Sequence, residues 1–119
     1  MRSQLIYVLD DDDAVRVALG SFVRCLGFNV EIFSTAQQLL QSADLNKATC
    51  IISDVQMPGM TGFELLALLQ QRSNPVPVIL VTAFYEEHLK QKALGLGAVD
   101  FLSKPINSAA MISALEKLA

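Results

Sequence analysis

The sequence contains few of the residues on which several functional classes depend. Two cysteines and one histidine occur in 119 residues, and tryptophan is absent. Cys25 and Cys50 lack the close spacing of zinc ligands, so we expect two buried, reduced thiols. His88 stands alone among charged residues, which favours a solvated helical face over a catalytic or phosphoacceptor role. These residues do not predict a thiol-based or histidine-based active site.

Long apolar runs and clusters of positive charge are also missing. No apolar run approaches the roughly 18 residues of a membrane span, and the N-terminal run is too short and too acidic at its flank for a signal peptide. The 9 Lys and Arg residues against 12 Asp and Glu residues give a net charge of −3, without a basic stripe that could neutralise several phosphates. We therefore expect a cytoplasmic chain with no membrane partner and no direct contact to DNA.

Apolar residues make up 52% of the sequence and charged residues only 18%, which predicts one domain over residues 1–119 with strands buried on both faces. Short apolar runs at residues 5–9, 50–53, 78–81 and 99–102, and an alternating run near residues 29–32, are separated by segments of helical periodicity. Five strands alternating with five helices predict a parallel sheet of order 2-1-3-4-5, in a flavodoxin-like doubly wound (βα)5 three-layer sandwich.

Capping residues mark the predicted helix starts. The candidates are Asp12 or Asp13 before the first helix, Ser34 with Gln37 before the second, Thr61 with Glu64 before the third, and Asn107 or Ser108 before the fifth. The fifth helix is expected to bury Ile112, Leu115 and Leu118. The fourth helix, over residues 85–94, has few apolar anchors and should be the least firmly held.

Four of the predicted strands end in polar residues suited to phosphate chemistry. Asp10 and Asp11 follow the first strand, Asp54 the third, Thr82 the fourth, and Ser103, Lys104 and Pro105 the fifth. Parallel strands share their carboxyl ends, so these groups are expected to converge on one pocket. Asp100, near the start of the fifth strand, is expected to be a solvated or capping acid.

Three neighbouring carboxylates repel one another, so a cation is expected among them. Mg²⁺, or Mn²⁺ in its place, takes oxygen ligands, and we predict Asp11, Asp54 and the backbone carbonyl of Gln56 as its ligands. A carboxylate can also attack a phosphoryl group if the charge on the phosphoryl oxygens is neutralised. The cation, Lys104, and the Thr82 hydroxyl with nearby backbone N–H groups could provide that neutralisation.

Four motifs occur in a specific order and spacing. They are Asp10-Asp11 after the first strand, Asp54-x-x-Met57-Pro58-Gly59-Met60-x-Gly62, Val81-Thr82-Ala83, and Gly97-Ala98-x-Asp100-Phe101-Leu102-x-Lys104-Pro105. Together they resemble the receiver domain of bacterial two-component response regulators, and the resemblance covers essentially the whole chain.

The resemblance implies that Asp54 accepts a phosphoryl group from the phosphohistidine of a sensor histidine kinase. It implies that Asp11 binds the metal ion directly and that Asp10 supports it through bound water. The groups implied to contact the phosphoryl oxygens are Thr82, the backbone of Ala83, and Lys104.

The resemblance also implies a conformational switch and a cis bond between Lys104 and Pro105. Thr82 would shift toward the phosphoryl group, the rotamer of Phe101 would follow, and the surface of helix 4, strand 5 and helix 5 would change. Because the fourth helix is the least anchored, we predict that phosphorylation produces a homodimer through helix 4 and strand 5.

Further segments resemble receivers that precede a LuxR-type helix-turn-helix output domain. They are Val15-Arg16, Gly27-Phe28-x-Val30 and Phe33-Ser34-Thr35-Ala36. No such output is present in this sequence, which stops at residues 117–119, where a linker to one would begin. We expect a regulator whose C-terminal DNA-binding domain is absent here, and a stand-alone receiver is the other option.

Two other functions remain open. Asp10-x-Asp12 formally matches the nucleophile and acid of a haloacid-dehalogenase-like phosphatase, although the chain is short and lacks the cap insertion and the late acidic pair. A pseudo-receiver would keep the fold as a binding module without the chemistry. The presence of all five expected site residues argues against that option.

Overall fold

The structure is a computed structural model that describes residues 4–42, 44–73 and 75–118. The strands are β1 (Leu5–Leu9), β2 (Asn29–Phe33), β3 (Cys50–Asp54), β4 (Val78–Thr82) and β5 (Asp100–Ser103). The helices are α1 (Asp13–Cys25), α2 (Ala36–Ser42), α3 (Gly62–Gln70), α4 (Glu87–Gly95) and α5 (Ser108–Glu116), with a 3₁₀ turn at Leu45–Lys47. The alternation of strands and helices predicted from the sequence is confirmed.

All five strands are parallel and lie in the order β2-β1-β3-β4-β5. Leu9 pairs with Ser53 across β1 and β3, and Asp54 pairs with Val81 across β3 and β4. Thr82 pairs with Ser103 across β4 and β5. The last residues of four neighbouring strands therefore lie along one edge of the sheet, and the predicted strand order is confirmed.

Two apolar clusters cover the two faces of this sheet. Alternate strand residues point to opposite faces, so Tyr7 and Leu9 pack with α2, α3 and α4, whereas Ile6 and Val8 pack with α1 and α5. Strands that are buried on both faces explain the high apolar fraction of the sequence. The predicted three-layer sandwich is confirmed.

Helix α4 buries few apolar residues against the rest of the protein. Ala93 is its single buried residue, and the side chain of Glu86, at the N-cap, does not cap the helix with a hydrogen bond. A helix with so few buried apolar contacts has low local stability. The expected scarcity of apolar anchors in the fourth helix is confirmed, and its weak anchoring stays a prediction.

Most of the predicted caps are present. Asp12 caps α1 by accepting from the Val15 N–H, Thr61 and Glu64 form a capping box at α3, and Asn107 caps α5 by accepting from the Ala110 N–H. The box predicted at Ser34 and Gln37 is wrong by one residue. Thr35 Oγ1 accepts from the Gln38 N–H at 3.0 Å, while Gln38 Oε1 accepts from the Ser34 N–H at 2.8 Å. Because Thr35 also accepts the first helical bond through its carbonyl, from the Leu39 N–H, α2 starts one residue later.

Two burial predictions are wrong because a helix presents a different face from the one expected. Ile112 is 39% exposed, whereas Leu115 is buried as expected and Leu118 is partly buried against the core. The other buried residues of α5 are Met111 and Ala114. Cys25, the last residue of α1, is exposed, whereas Cys50 in β3 is buried as expected. One free thiol of the chain therefore faces solvent.

Asp100 is a buried acid, not a solvated one. Its carboxylate accepts from Lys117 Nζ at 2.8 Å and from the Phe101 N–H at 2.8 Å. The partner lies 17 residues further along the chain, so the pairing depends on tertiary structure and joins β5 to the end of α5. Within the described residues, no helix has the length and apolar character needed to cross a membrane.

Candidate functional site

Three carboxylates meet where β1 and β3 end. Asp10 directly follows β1 and is fully buried, Asp11 is exposed in the next position, and Asp54 is the last residue of β3 with 4% of its surface exposed. One oxygen from each side chain lies within 4.8 Å of the other two. The convergence predicted from the strand ends is therefore present, at the switch point between β1 and β3.

Backbone contacts hold the loop that carries the first two acids. Asp10 Oδ1 accepts from the Asp12 N–H at 2.9 Å, and Arg16 Nη1 donates to the Asp10 carbonyl at 2.8 Å. The same guanidinium pairs with Asp13. Arg16 was not predicted as a contributor to the site. Its spacing of three residues from Asp13 on one helix face was the available signal.

The loop after β3 packs tightly against Asp54. The Gly62 N–H donates to the Val55 carbonyl at 2.9 Å. A Cβ at position 62 would lie 2.5 Å from the Asp54 carbonyl oxygen and 3.0 Å from the Val55 Cα. Glycine therefore allows the first turn of α3 to lie directly against the backbone of the central acid.

Lys104 joins the acids from the other side. Its Nζ lies 2.8 Å from Asp10 Oδ2 and 3.2 Å from Asp54 Oδ1, and 16% of its side chain is exposed. Its backbone N–H donates to the Thr82 carbonyl at 2.7 Å, and the Lys104–Pro105 peptide is cis. The ammonium ion thus bridges two of the three acids.

Burial and like charge dominate the titration of the central acid. Desolvation, with repulsion from Asp10 and more weakly from Asp11, raises the pKa of Asp54 to about 6, although Lys104 opposes the shift. Desolvation lowers the pKa of Lys104, but its contacts with Asp10 and Asp54 outweigh burial and raise the pKa above its usual value. The pocket holds more negative charge than the single ammonium ion neutralises.

These residues fit a hard divalent cation. Three carboxylates supply oxygen donors of the type that Mg²⁺ prefers. Asp10 Oδ2 is buried and, within the described part of the chain, has no aligned hydrogen bond, although the Lys104 ammonium ion lies close to it. Besides its contact with the Lys104 ammonium ion, this oxygen can accept a hydrogen bond from a metal-bound water. Gln56, whose carbonyl is the further predicted ligand, lies in the loop directly after β3.

The hydroxyl at the end of β4 is engaged by two neighbours. Thr82 is fully buried; its Oγ1 donates to Gln56 Oε1 at 3.0 Å and accepts from the Phe84 N–H at 3.0 Å. Ala83 is exposed in the next position. The contact between the Gln56 side chain and Thr82 was not predicted, because loop geometry beyond a strand end cannot be read from residue spacing.

Phe101 lies buried within a group of aromatic rings. Its ring stacks with that of Phe63 at a centroid distance of 6.1 Å and is tilted against that of Tyr85 at 5.5 Å. Lys92 of α4 lies 4.6 Å above the Phe63 ring. The ring of Phe101 therefore contacts both α3 and the loop that leads into α4.

The fold and this pocket define a doubly wound α/β domain with an acidic, lysine-bridged site at its topological switch point. A family model described as the response regulator receiver domain matches residues 6–116. The chain belongs to this family.

Individual relatives agree with this assignment. Response regulator protein TodT from Pseudomonas putida is 37% identical over 114 residues, which cover 96% of this chain and 50% of the relative. Transcriptional regulatory protein FixJ from Bradyrhizobium diazoefficiens is 38% identical over 111 residues, which cover 93% of this chain and 54% of FixJ. The solved structure of response regulator StyR matches with a TM-score of 0.87 and 34% identity, covering 97% of this chain and 58% of StyR. The chain spans about half the length of the curated relatives it matches.

Proposed function

We propose that the chain is a phosphorylation-dependent signalling switch in which Asp54 accepts a phosphoryl group from the phosphohistidine of a sensor histidine kinase. The observation that carries the proposal is the position of Asp54. It is a nearly buried carboxylate at a strand end, 3.2 Å from an ammonium ion and surrounded by two further acids. The protein acts as a regulator that assists its own phosphotransfer and dephosphorylation, and we place it in the cytoplasm.

The proposed transfer requires one bond to form and one to break. An Asp54 carboxylate oxygen attacks phosphorus, the bond from phosphorus to the histidine nitrogen breaks, and an acyl phosphate results. The Lys104 ammonium ion, the Thr82 hydroxyl and the Ala83 backbone N–H stabilise the charge on the phosphoryl oxygens.

We propose Mg²⁺, or Mn²⁺, as the cofactor. Asp11, Asp54 and the Gln56 carbonyl would hold it, and Asp10 would support it through a bound water. When bound, the ion supplies the positive charge that the acids lack and orients the phosphoryl group.

We propose that phosphorylation produces a homodimer through α4 and β5. The support is that α4 buries a single residue and that β5 lies at the edge of the sheet. Phe101, a residue of β5, also contacts Tyr85 in the loop before α4. Sedimentation of the protein with beryllofluoride and Mg²⁺ tests this. We expect dimers in the wild type and monomers in the Lys104→Met variant. A wild type that stays monomeric, or dimers insensitive to Lys104, would contradict the proposal.

We propose that DNA is contacted only through a separate output domain of the longer regulator. The support is the acidic net charge of this chain and its match to about half of relatives such as FixJ, whose name describes a transcriptional regulatory protein. In an electrophoretic mobility-shift assay, we expect that this chain alone does not retard DNA, with or without beryllofluoride.

Labelling by acetyl phosphate tests the chemistry. With Mg²⁺, we expect the intact mass to rise by one phosphoryl group, with the label on the peptide that contains Asp54 and none in the Asp54→Asn variant. The Glu116→Gln variant, which changes an exposed acid at the end of α5, is the matched control and should label normally. If Asp10→Asn stopped the turnover of acetyl phosphate and Asp54→Asn did not, the result would instead indicate the phosphatase alternative. No labelling and no response to Mg²⁺ would indicate a pseudo-receiver.

A further inference from the structure

The proton of the Thr82 hydroxyl has one orientation in this structure. The Phe84 N–H can only donate, so Thr82 Oγ1 must accept from it at 3.0 Å. The remaining partner, Gln56 Oε1, lies 3.0 Å away and can only accept. The single proton of Thr82 is therefore committed to the Gln56 carboxamide.

A phosphoryl group would compete for the same proton. Phosphoryl oxygens are acceptors, so Thr82 can contact one productively only by donating to it. One hydroxyl proton cannot serve Gln56 and a phosphoryl oxygen at once. Because Gln56 is exposed, water can satisfy its carboxamide after Thr82 turns away, whereas Thr82 itself is fully buried.

We propose that Gln56 is a positioning residue that holds the Thr82 hydroxyl in its resting orientation and must release it before the phosphoryl group is engaged. This inference rests on the function proposed above. It gives the Gln56 side chain a part in setting how strongly the switch responds, in addition to the metal contact expected from its backbone carbonyl.

The Gln56→Met variant isolates this contact. It keeps the backbone carbonyl and nearly the same side-chain length but removes the acceptor. In a beryllofluoride titration of the whole chain at saturating Mg²⁺, followed by NMR, we expect about two- to tenfold tighter binding, the range that corresponds to one neutral hydrogen bond. Gln37→Met, an exposed substitution of the same type on α2, is the matched control and should bind as the wild type does.

Variants that also carry a substitution at Thr82 separate two explanations of tighter binding: release of the Thr82 hydroxyl from Gln56, and easier access to the pocket. In Thr82→Val the hydroxyl is absent, so Gln56→Met should no longer tighten binding, whereas in Thr82→Ser the gain should persist. In metal-free protein, the Phe84 amide signal should shift in Gln56→Met and stay in place in Gln37→Met. Equal affinities of Gln56→Met and wild type, or the same gain in the Thr82→Val background, would overturn the inference alone. A wild type that does not bind beryllofluoride would overturn the proposed function and the inference with it.

Discussion

The charge of the pocket depends on one side chain. Lys104 is the cation that contacts both Asp10 and Asp54, and its 16% exposure leaves little room for solvent to replace it. Removal of one partner of a buried ionic group leaves uncompensated charge, which costs more than the pair itself contributes.

We therefore expect Lys104→Met to lower the free energy of unfolding by about 2–4 kcal/mol in EDTA at pH 7.5. Added Mg²⁺ should restore much of this loss, because it supplies positive charge to the same oxygens. Urea denaturation with and without Mg²⁺ measures both effects, with Lys47→Met, an exposed lysine, as the matched control. A loss that is the same in EDTA and in Mg²⁺ would show that Lys104 acts through packing alone.

The raised pKa of Asp54 predicts a dependence of stability on pH. In metal-free protein the folded state, with a pKa of about 6 for Asp54, binds its proton more tightly than the unfolded chain, whose value is near 3.8. The stability present at pH 4 is therefore lost as pH rises through about 6. Asp54→Asn removes this penalty and should be more stable than the wild type at pH 7.5 by about 1–2 kcal/mol, after allowance for screening.

Urea denaturation in EDTA at pH 4.5 and 7.5 checks the direction in which the stability changes with pH. The difference between Asp54→Asn and the wild type should be small at the lower pH and favour the variant at the higher pH. The exposed Glu116→Gln substitution should show no such change. A wild type at least as stable as Asp54→Asn at pH 7.5 would contradict the account of burial and repulsion at this carboxylate.

Single residues of the site were predictable only where a strand end places them. Asp11, Asp54 and Lys104 follow apolar runs, so strand alternation alone brings them to one edge. The contact between Gln56 and Thr82 depends on the path of a loop, and Asp100 pairs with a lysine on α5 that only tertiary structure brings near. Neither depends on a local pattern, so the sequence could not show them.

Helix α3 begins directly against the backbone of Asp54. Gly62 lets its first turn lie against the Asp54 backbone, and the capping box of Thr61 and Glu64 fixes where that turn begins. A well-capped start together with a residue without a Cβ determines how near the helix comes to the end of β3.

Gly62→Ala should therefore destabilise the fold by about 2 kcal/mol or more and weaken Mg²⁺ binding, because the new Cβ forces α3 away from Asp54. Gly95→Ala is the matched control. Its Cβ would meet nothing within 4 Å at the end of α4, so it should be neutral or stabilising by up to about 1 kcal/mol. Thermal denaturation and Mg²⁺ titration of both variants measure the contrast. Equal stability and equal Mg²⁺ affinity of the two variants would contradict the close packing of α3 on β3.

Helix boundaries were less predictable than helix existence. Both Ser34 and Thr35 can cap a helix, and the choice between them depends on which carbonyl accepts the first helical bond. The buried face of α5 differs from the prediction at Ile112 for a related reason. The apolar residues of that segment suit two neighbouring helical faces, and packing against β1, β3 and β4 selects one of them.

The whole arrangement follows from a few general constraints. Right-handed crossovers, a half-exposed second strand and two strongly apolar strands at the centre leave the order β2-β1-β3-β4-β5 as the natural solution. That order places the ends of β1 and β3 side by side, so the fold itself assembles the acidic pocket. The sequence could therefore predict the fold class and the location of the site, whereas the contacts between loops needed the structure.

The central claim is that the ends of β1, β3 and β5 form a single cation-binding pocket around Asp54. An NMR titration of the metal-free chain with Mg²⁺ tests it most directly, through the backbone amides of Asp11, Asp54 and Lys104. We predict one saturable transition with the same midpoint at all three positions, and its loss in Asp11→Asn. Three different midpoints, or no saturable change near these residues, would contradict the account.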